Sequence, residues 1–211
     1  GYQSYNSITN VGDQEWNKQN GLLSIWILGQ YISSPTNTVL VPFEQGSESD
    51  LGKIVNDEYF GKVPSDRLTI ADSVLYFKAD GNKRSKIGLT PDRAKSFLGS
   101  YDSKSEVLSL VFFNKPEKYE GYVNSMWELQ EKPFEGDIIN SYNDGPLEDG
   151  SQMGPFYELE TSSSAAALKP GRLHRHISTT FHITGSIDQV GPIISELFGA
   201  SIDQIKDAFS N

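Results

Sequence analysis

The run RLHRHISTTFHIT, residues 172–184, alternates between two kinds of side chain and predicts one long β-strand. Its odd-numbered positions are mostly apolar, and its even-numbered positions are all polar. Because side chains along a strand point alternately to its two faces, the run has a mostly apolar face and a wholly polar one. The polar face carries the three histidines of the chain, His174, His176 and His182. At the rise of a strand, His174 and His176 lie about 6.6–6.8 Å apart, and His182 lies about 20 Å beyond His176.

Short runs rich in β-branched and aromatic residues, separated by turn residues, make up most of the chain before residue 186. The predicted strands are 22–28, 38–43, 68–70, 74–79, 83–89, 106–116, 122–130, 137–142 and 155–161. The first of these, within GLLSIWILGQ, is predicted to be buried. The pattern favours an all-β antiparallel sandwich over units in which helices alternate with parallel strands.

The carboxyl end follows a different pattern. Its two segments, SIDQVGPIISELFG and SIDQIKDAF, both begin with a serine that is followed three residues later by glutamine. This spacing is typical of the capping box at the start of a helix. In the second segment Ile202, Ile205 and Phe209 recur at helical spacing. The sequence therefore predicts a β-domain over residues 1–185 and two short helices, within residues 186–211, that pack on it.

The composition of the chain limits the classes of partner that we expect it to bind. The formal net charge of −10 opposes binding to a phosphate backbone, and no local basic stripe offsets it, so we expect no nucleic-acid partner. The absence of cysteine excludes disulfides and thiolate chemistry. No apolar run approaches the roughly 18 residues of a membrane span. No cofactor and no tightly bound transition metal are expected, because strand spacing brings only two imidazoles close together.

Paired carboxylates stand upstream of the histidines. In PFYELET, Phe156, Glu158 and Glu160 share one face of the predicted strand, and the other face carries Tyr157, Leu159 and Thr161. If this strand neighbours the histidine strand, the carboxylates and some of the histidines line one groove. Three interpretations stay open: a solvated face, a metal site built from His174, His176 and Glu160, and a polar ligand groove with a carboxylate base.

The run GPFYELETSSSAAALKPGRLHRHISTTFHI resembles an uncharacterised bacterial family of galactose-mutarotase-like proteins, within the aldose epimerase superfamily. The resemblance extends to EGYVNSMWELQEKPFEGDIINSYNDGP, to KRSKIGL and, more weakly, to the first 30 residues. It covers most of the chain. Such proteins are usually longer at the amino end, so the chain resembles their carboxyl-terminal portion. Family tendency also implies a bacterial cell-envelope or periplasmic location.

The resemblance implies a large antiparallel sandwich with a concave, sugar-binding face. It also implies a catalytic glutamate, at Glu158 or, with a register slip of two, at Glu160. In mutarotases this glutamate takes the proton of the anomeric hydroxyl, and a histidine protonates the ring oxygen. That histidine lies far upstream in mutarotases, whereas residues 1–173 of this chain contain none. Carbohydrate binding is therefore the favoured function; the alternative is an aldose-epimerase-type or other carbohydrate-active enzyme with Glu158 as base and His174 or His176 as acid.

Further residues are candidates for contact with a sugar, and each has a structural alternative. For the polar candidates, the structural alternative is turn formation or a place on a solvated strand face. For the aromatic candidates, it is packing in the core. Arg84 and Lys86 share a strand face and suit an acidic sugar or a carboxylate. The remaining candidates are Asn140, Asp144, Glu160, His182 and Trp127, with Trp26, Tyr142 and Tyr157 as further stacking platforms.

Overall fold

The computed structural model describes residues 1–210 and consists of two antiparallel β-sheets and three helices. The seven-stranded sheet has the order β1-β11-β8-β7-β3-β5-β4, and the four-stranded sheet the order β2-β10-β9-β6. The helices are α1 (Glu48–Leu51), α2 (Ile187–Phe198) and α3 (Ile202–Asp207). The strands are β1 (Tyr2–Thr9), β2 (Trp26–Ile32), β3 (Asn37–Pro42), β4 (Leu68–Ala71), β5 (Val74–Lys78), β6 (Ser85–Leu89), β7 (Phe97–Asp102), β8 (Val107–Phe113), β9 (Ile139–Asn143), β10 (Phe156–Ser162) and β11 (Leu173–Thr184).

The two sheets pack face to face and enclose the main core. Buried residues of the larger sheet, such as Val39 and Phe77, lie in one cluster with Ile87, Ile139 and Leu159 of the smaller sheet. This arrangement confirms the predicted antiparallel sandwich. It also fixes the geometry of β10, because its odd-numbered side chains point into the core and its even-numbered ones point away from the larger sheet.

Helices α2 and α3 cover the other face of the seven-stranded sheet. Val190, Ile194 and Phe198 of α2 lie in a second buried cluster with sheet residues such as Leu40 and Leu108. Both predicted capping boxes are present, from Ser186 with Gln189 and from Ser201 with Gln204, so the helical tail is confirmed. The division into residues 1–185 and 186–211 stays a prediction, and residue 211 lies outside the described part. No helix within residues 1–210 is long and apolar enough to span a membrane.

Several strand predictions are wrong in detail. Strands β1 and β7 and helix α1 were not predicted, and residues 122–130 form no strand but belong to a loop. The strand expected at 22–28 begins at Trp26 instead and lies at an edge of its sheet, with Trp26 and Leu28 partly exposed. Trp26 and Leu28 line a surface cleft rather than the interior, which explains why an apolar run was misread as a buried strand.

The polar face of β11 is turned inward, so the interpretation of this face as solvated is wrong for its central residues. His176, Ser178 and Thr180 are buried, and His176 Nε2 lies 2.9 Å from Thr161 Oγ1 on β10. A buried polar group avoids a desolvation penalty only when it has a hydrogen-bond partner, and Thr161 supplies one. Burial, together with the neighbouring His174, lowers the pKa of His176 to about 4 and keeps the ring neutral.

Candidate functional site: a cleft on the four-stranded sheet

The outer face of the four-stranded sheet forms the floor of a cleft, called here the sheet cleft. The strand register sets Gln30, Glu158, Tyr142 and Lys86 in one row across the four strands. The cleft has a volume of about 200 Å³. Its lining residues are Trp26, Leu28, Gln30, Tyr59, Phe60, Arg84, Lys86, Ser125, Trp127, Tyr142, Met153, Phe156 and Glu158.

Aromatic side chains from the sheet and from two loops form the walls. Tyr59 and Phe60 come from the segment between α1 and β4, and Trp127 comes from the loop between β8 and β9. Trp127 is 86% exposed although it is large and apolar. The core-packing alternative is therefore wrong for Trp127, whereas Tyr157 does lie in the core.

A buried ion pair crosses the floor of the cleft. Lys86 Nζ donates to Glu160 Oε2 at 2.9 Å, and Trp26 Nε1 donates to the same oxygen at 2.9 Å. The ammonium group also lies 5.6 Å from the ring centre of Trp26 and 5.3 Å from that of Tyr59. Within residues 1–210, Glu160 Oε1 is buried without a hydrogen-bond partner. The charge of Lys86 is thus neutralised inside the protein.

Glu158 is the carboxylate that lines the cleft. Burial raises its pKa to about 7, and the charge of Glu160 adds to the rise, while a hydrogen bond from Gln30 and the charge of Lys86 oppose it. Gln30 Nε2 donates to Glu158 Oε1 at 3.2 Å. A carboxyl group with this pKa is populated in both protonation states near neutral pH. It therefore suits either proton transfer or hydrogen bonding to a hydroxyl.

A second carboxylate supports the Tyr59 wall from behind. The Tyr59 hydroxyl donates to Asp137 Oδ2 at 2.6 Å and accepts from Asn140 Nδ2 at 2.9 Å. Burial raises the pKa of Asp137 to about 6. Gly88 makes this network fit, because a Cβ there would lie 2.1 Å from Asp137 Oδ2 and 2.6 Å from Asn140 Nδ2. Asn140 was predicted to bind sugar, but its amide holds Tyr59 instead.

Arg84 lies at the end of the cleft near the β9–β10 loop, and Asp144 lines the neighbouring pocket there. The Arg84 guanidinium lies 3.8 Å from the centre of the Phe60 ring. Asp144 accepts from the Tyr142 hydroxyl at 2.7 Å and from the Gly154 amide at 2.9 Å, so its carboxylate is occupied by the protein. Burial raises the pKa of Tyr142 to about 12, with the Asp144 hydrogen bond as the next cause and Arg84 acting against it.

The histidines lie elsewhere: β10 and β11 belong to different sheets, so the groove that they would line as neighbouring strands does not form. His176 contacts Thr161 between the sheets, on the face of β10 opposite to Glu158 and Glu160. His182 is exposed, its Nδ1 lies 2.9 Å from Ser109 Oγ, and it lines a separate pocket. A metal site built from His174, His176 and Glu160 would have to cross the sheet. In the described part of the chain, no group of three or more His, Cys, Asp or Glu side chains is placed to hold a metal ion.

Sequence reasoning missed Gln30, Tyr59, Phe60 and Asp137. Gln30 reaches the cleft through strand register, and Tyr59 and Phe60 reach it from a distant loop. Asp137 lies behind Tyr59, and no local pattern marks any of the four. Gly88 did carry a signal, because a glycine inside a strand often marks a close approach of another group.

Comparisons with known proteins place the chain in a family. Residues 1–209 match the model of DUF6786, a family of unknown function. The chain belongs to this family. A comparison with curated proteins found no significant match. The fold of this DUF6786 member is similar to the crystal structure of a "Putative aldose 1-epimerase" from Escherichia coli K12, with a TM-score of 0.51 and 11% sequence identity. The alignment covers 87% of this chain and only 56% of the other, and at this identity it establishes the fold alone.

Proposed function

We propose that the sheet cleft binds a sugar. The observation that carries this proposal is the combination of aromatic walls with a floor of polar and charged groups in one cleft. Sugars present apolar C–H faces and a rim of hydroxyl groups. A pocket with mostly apolar lining and a few convergent polar groups matches both. The similarity of the fold to the Escherichia coli structure is consistent with this proposal.

In this proposal each part of the cleft has a separate role. Trp127 provides an exposed ring on which a sugar ring stacks, since it makes little contact with the protein. Gln30 and Glu158 offer an amide and a carboxyl group to sugar hydroxyls. The histidines have no role. The bacterial envelope location implied by the family resemblance stays a prediction.

A second candidate function is proton transfer at the anomeric carbon of the bound sugar. Its support is Glu158, because a carboxyl group with a pKa of about 7 in a cleft is a suitable general base. Ring opening also needs a proton donor. Lys86 is already paired with Glu160, and the Tyr59 hydroxyl already donates to Asp137. One positioned group gives typically ~10²–10⁴-fold acceleration, so the expected activity is weak.

The proposal is tested by titrating a panel of neutral mono- and oligosaccharides, followed by NMR or calorimetry. We expect at least one sugar with a Kd of about 1 mM or lower, near −4 kcal/mol. Trp127→Ala should weaken that binding by about fivefold, which corresponds to about 1 kcal/mol for a lost aromatic contact.

Leu129→Ala is the matched control, because Leu129 lies in the same loop, is 100% exposed and does not line the cleft. It should bind sugar like the unmodified protein. Absence of binding across the whole panel, or equal weakening by the two substitutions, would count against the sheet cleft as a sugar site. Polarimetry of glucose and galactose mutarotation, with Glu158→Gln as the comparison, tests the second candidate.

A further inference from the structure

Arg84 differs from the two buried arginines of the sandwich, because neither a carboxylate nor a set of backbone carbonyls holds its guanidinium within residues 1–210. Arg67 forms an ion pair with Asp80. Arg93 donates five hydrogen bonds to backbone carbonyls. Within residues 1–210, Arg84 is half-buried and makes no salt bridge. Because a guanidinium is always charged, a half-buried one without an anion is placed to bind an anion from outside.

The position of Arg84 directs it toward the cleft. Its guanidinium stacks on Phe60 at 3.8 Å, which fixes the plane of the group and reduces the entropy lost on binding. Arg84 lines the sheet cleft and also a neighbouring pocket of about 320 Å³, and Trp127, Tyr142 and Met153 are shared by both. A sugar stacked against Trp127 would therefore have one edge near the guanidinium.

The other charged groups that line the cleft and the neighbouring pocket near Arg84 are Lys86, Glu158 and Asp144. Lys86 is neutralised by Glu160. Asp144 accepts from the Tyr142 hydroxyl and the Gly154 amide, and it forms no salt bridge with Arg84 within residues 1–210. Glu158 lines the same cleft, but its raised pKa leaves it partly protonated near neutral pH. The cleft thus offers one guanidinium that makes no salt bridge, beside its hydrogen-bonding floor.

We infer that the sugar bound by the sheet cleft is a uronic acid, with its carboxylate bound by the guanidinium of Arg84. A guanidinium matches a carboxylate with two parallel N–H···O hydrogen bonds, which gives both affinity and orientation. This inference rests on the proposed function and specifies its ligand class.

The experiment compares glucuronate and galacturonate with glucose and galactose, at pH 6 and low ionic strength, by calorimetry or ligand-observed NMR. We expect the uronates to bind at least about tenfold more tightly than the parent hexoses. Arg84→Gln should remove this preference, so that uronates and their parent hexoses bind the variant with Kd values within about threefold of each other. Arg84→Lys should keep part of the preference for uronates, because the positive charge remains but the two parallel hydrogen bonds of the guanidinium are lost.

Lys83→Gln is the matched control, since it makes the same change in net charge at the exposed neighbouring residue. It should leave the preference unchanged. Equal binding of uronates and hexoses, or a preference that survives Arg84→Gln, would overturn the inference and leave the sugar site intact. Tighter binding of hexose 6-phosphates than of uronates would overturn the choice of a carboxylate. Failure of every sugar would reject the proposed function and this inference together.

Discussion

Removal of the Lys86 charge should destabilise the protein far more than removal of a surface lysine. Lys86 and Glu160 side chains are 9% and 1% exposed, and their charged atoms are 2.9 Å apart. Lys86→Met keeps an unbranched chain but leaves the carboxylate buried with only the Trp26 hydrogen bond. Breaking a buried pair in this way costs about 3–5 kcal/mol.

The effect is large enough for a thermal melt followed by circular dichroism. For a chain of this length each kcal/mol lowers Tm by roughly 2–4 °C, so we expect a decrease of about 10 °C. The double variant Lys86→Met with Glu160→Gln should recover much of this loss. It leaves no buried charge, and a neutral pair is far less costly to desolvate.

The chain supplies a matched control in Lys132 and Glu135. Their charged atoms are also 2.9 Å apart, but the side chains are 69% and 66% exposed. Lys132→Met should leave Tm unchanged, because solvent screens an exposed pair. The reasoning is refuted if Lys86→Met and Lys132→Met lower Tm equally, or if the double variant melts below Lys86→Met.

Two further predictions concern the floor of the cleft. Since the pKa of Glu158 is raised from 4.5 to about 7, the folded protein holds this proton more tightly, and stability falls as pH rises through that range. In Glu158→Gln, the free energy of unfolding, measured by urea unfolding at several pH values, should decrease less as pH rises. An unchanged pH dependence would contradict the assignment of the raised pKa to Glu158. Gly88→Ala should cost about 1–3 kcal/mol, because its Cβ would collide with Asp137 and Asn140. A Cβ at Gly191 in α2 would have no contact below 3.7 Å, so Gly191→Ala should leave stability unchanged or increase it. A greater loss of stability in Gly191→Ala than in Gly88→Ala would reject the steric argument.

Strands with an apolar run or a clear alternation of side chains were predictable, whereas the mostly polar β1 was not. β5 and β8 are buried on both faces and carry nearly continuous apolar runs. β1, by contrast, reads YQSYNSIT, lies at the edge of its sheet and depends on backbone pairing with β11. Residues 122–130 show the opposite error. Their apolar and aromatic side chains predicted a strand, but the segment is a loop beside the cleft.

The candidate site was predictable where its residues share a strand. Alternation correctly set Glu158 and Glu160 on one face and Tyr157 on the other. It could not say which face of β11 meets β10, since a polar strand face normally points to solvent. Buried partners such as Thr161 reverse that expectation for His176. Contacts such as Tyr59 with Asp137 join residues 78 positions apart, and only the folded chain reveals them.

The floor and the walls of the sheet cleft are encoded in separate parts of the sequence. Every second residue of four strands supplies the floor, whereas loop segments supply Tyr59, Phe60, Trp127 and Met153. Loops tolerate changes in length at small entropic cost, about 0.6 kcal/mol for each doubling. Proteins built on this frame can therefore acquire new ligand preferences through loop insertions while the strand residues stay the same. For protein engineering, the loop around Trp127 is the first segment to randomise.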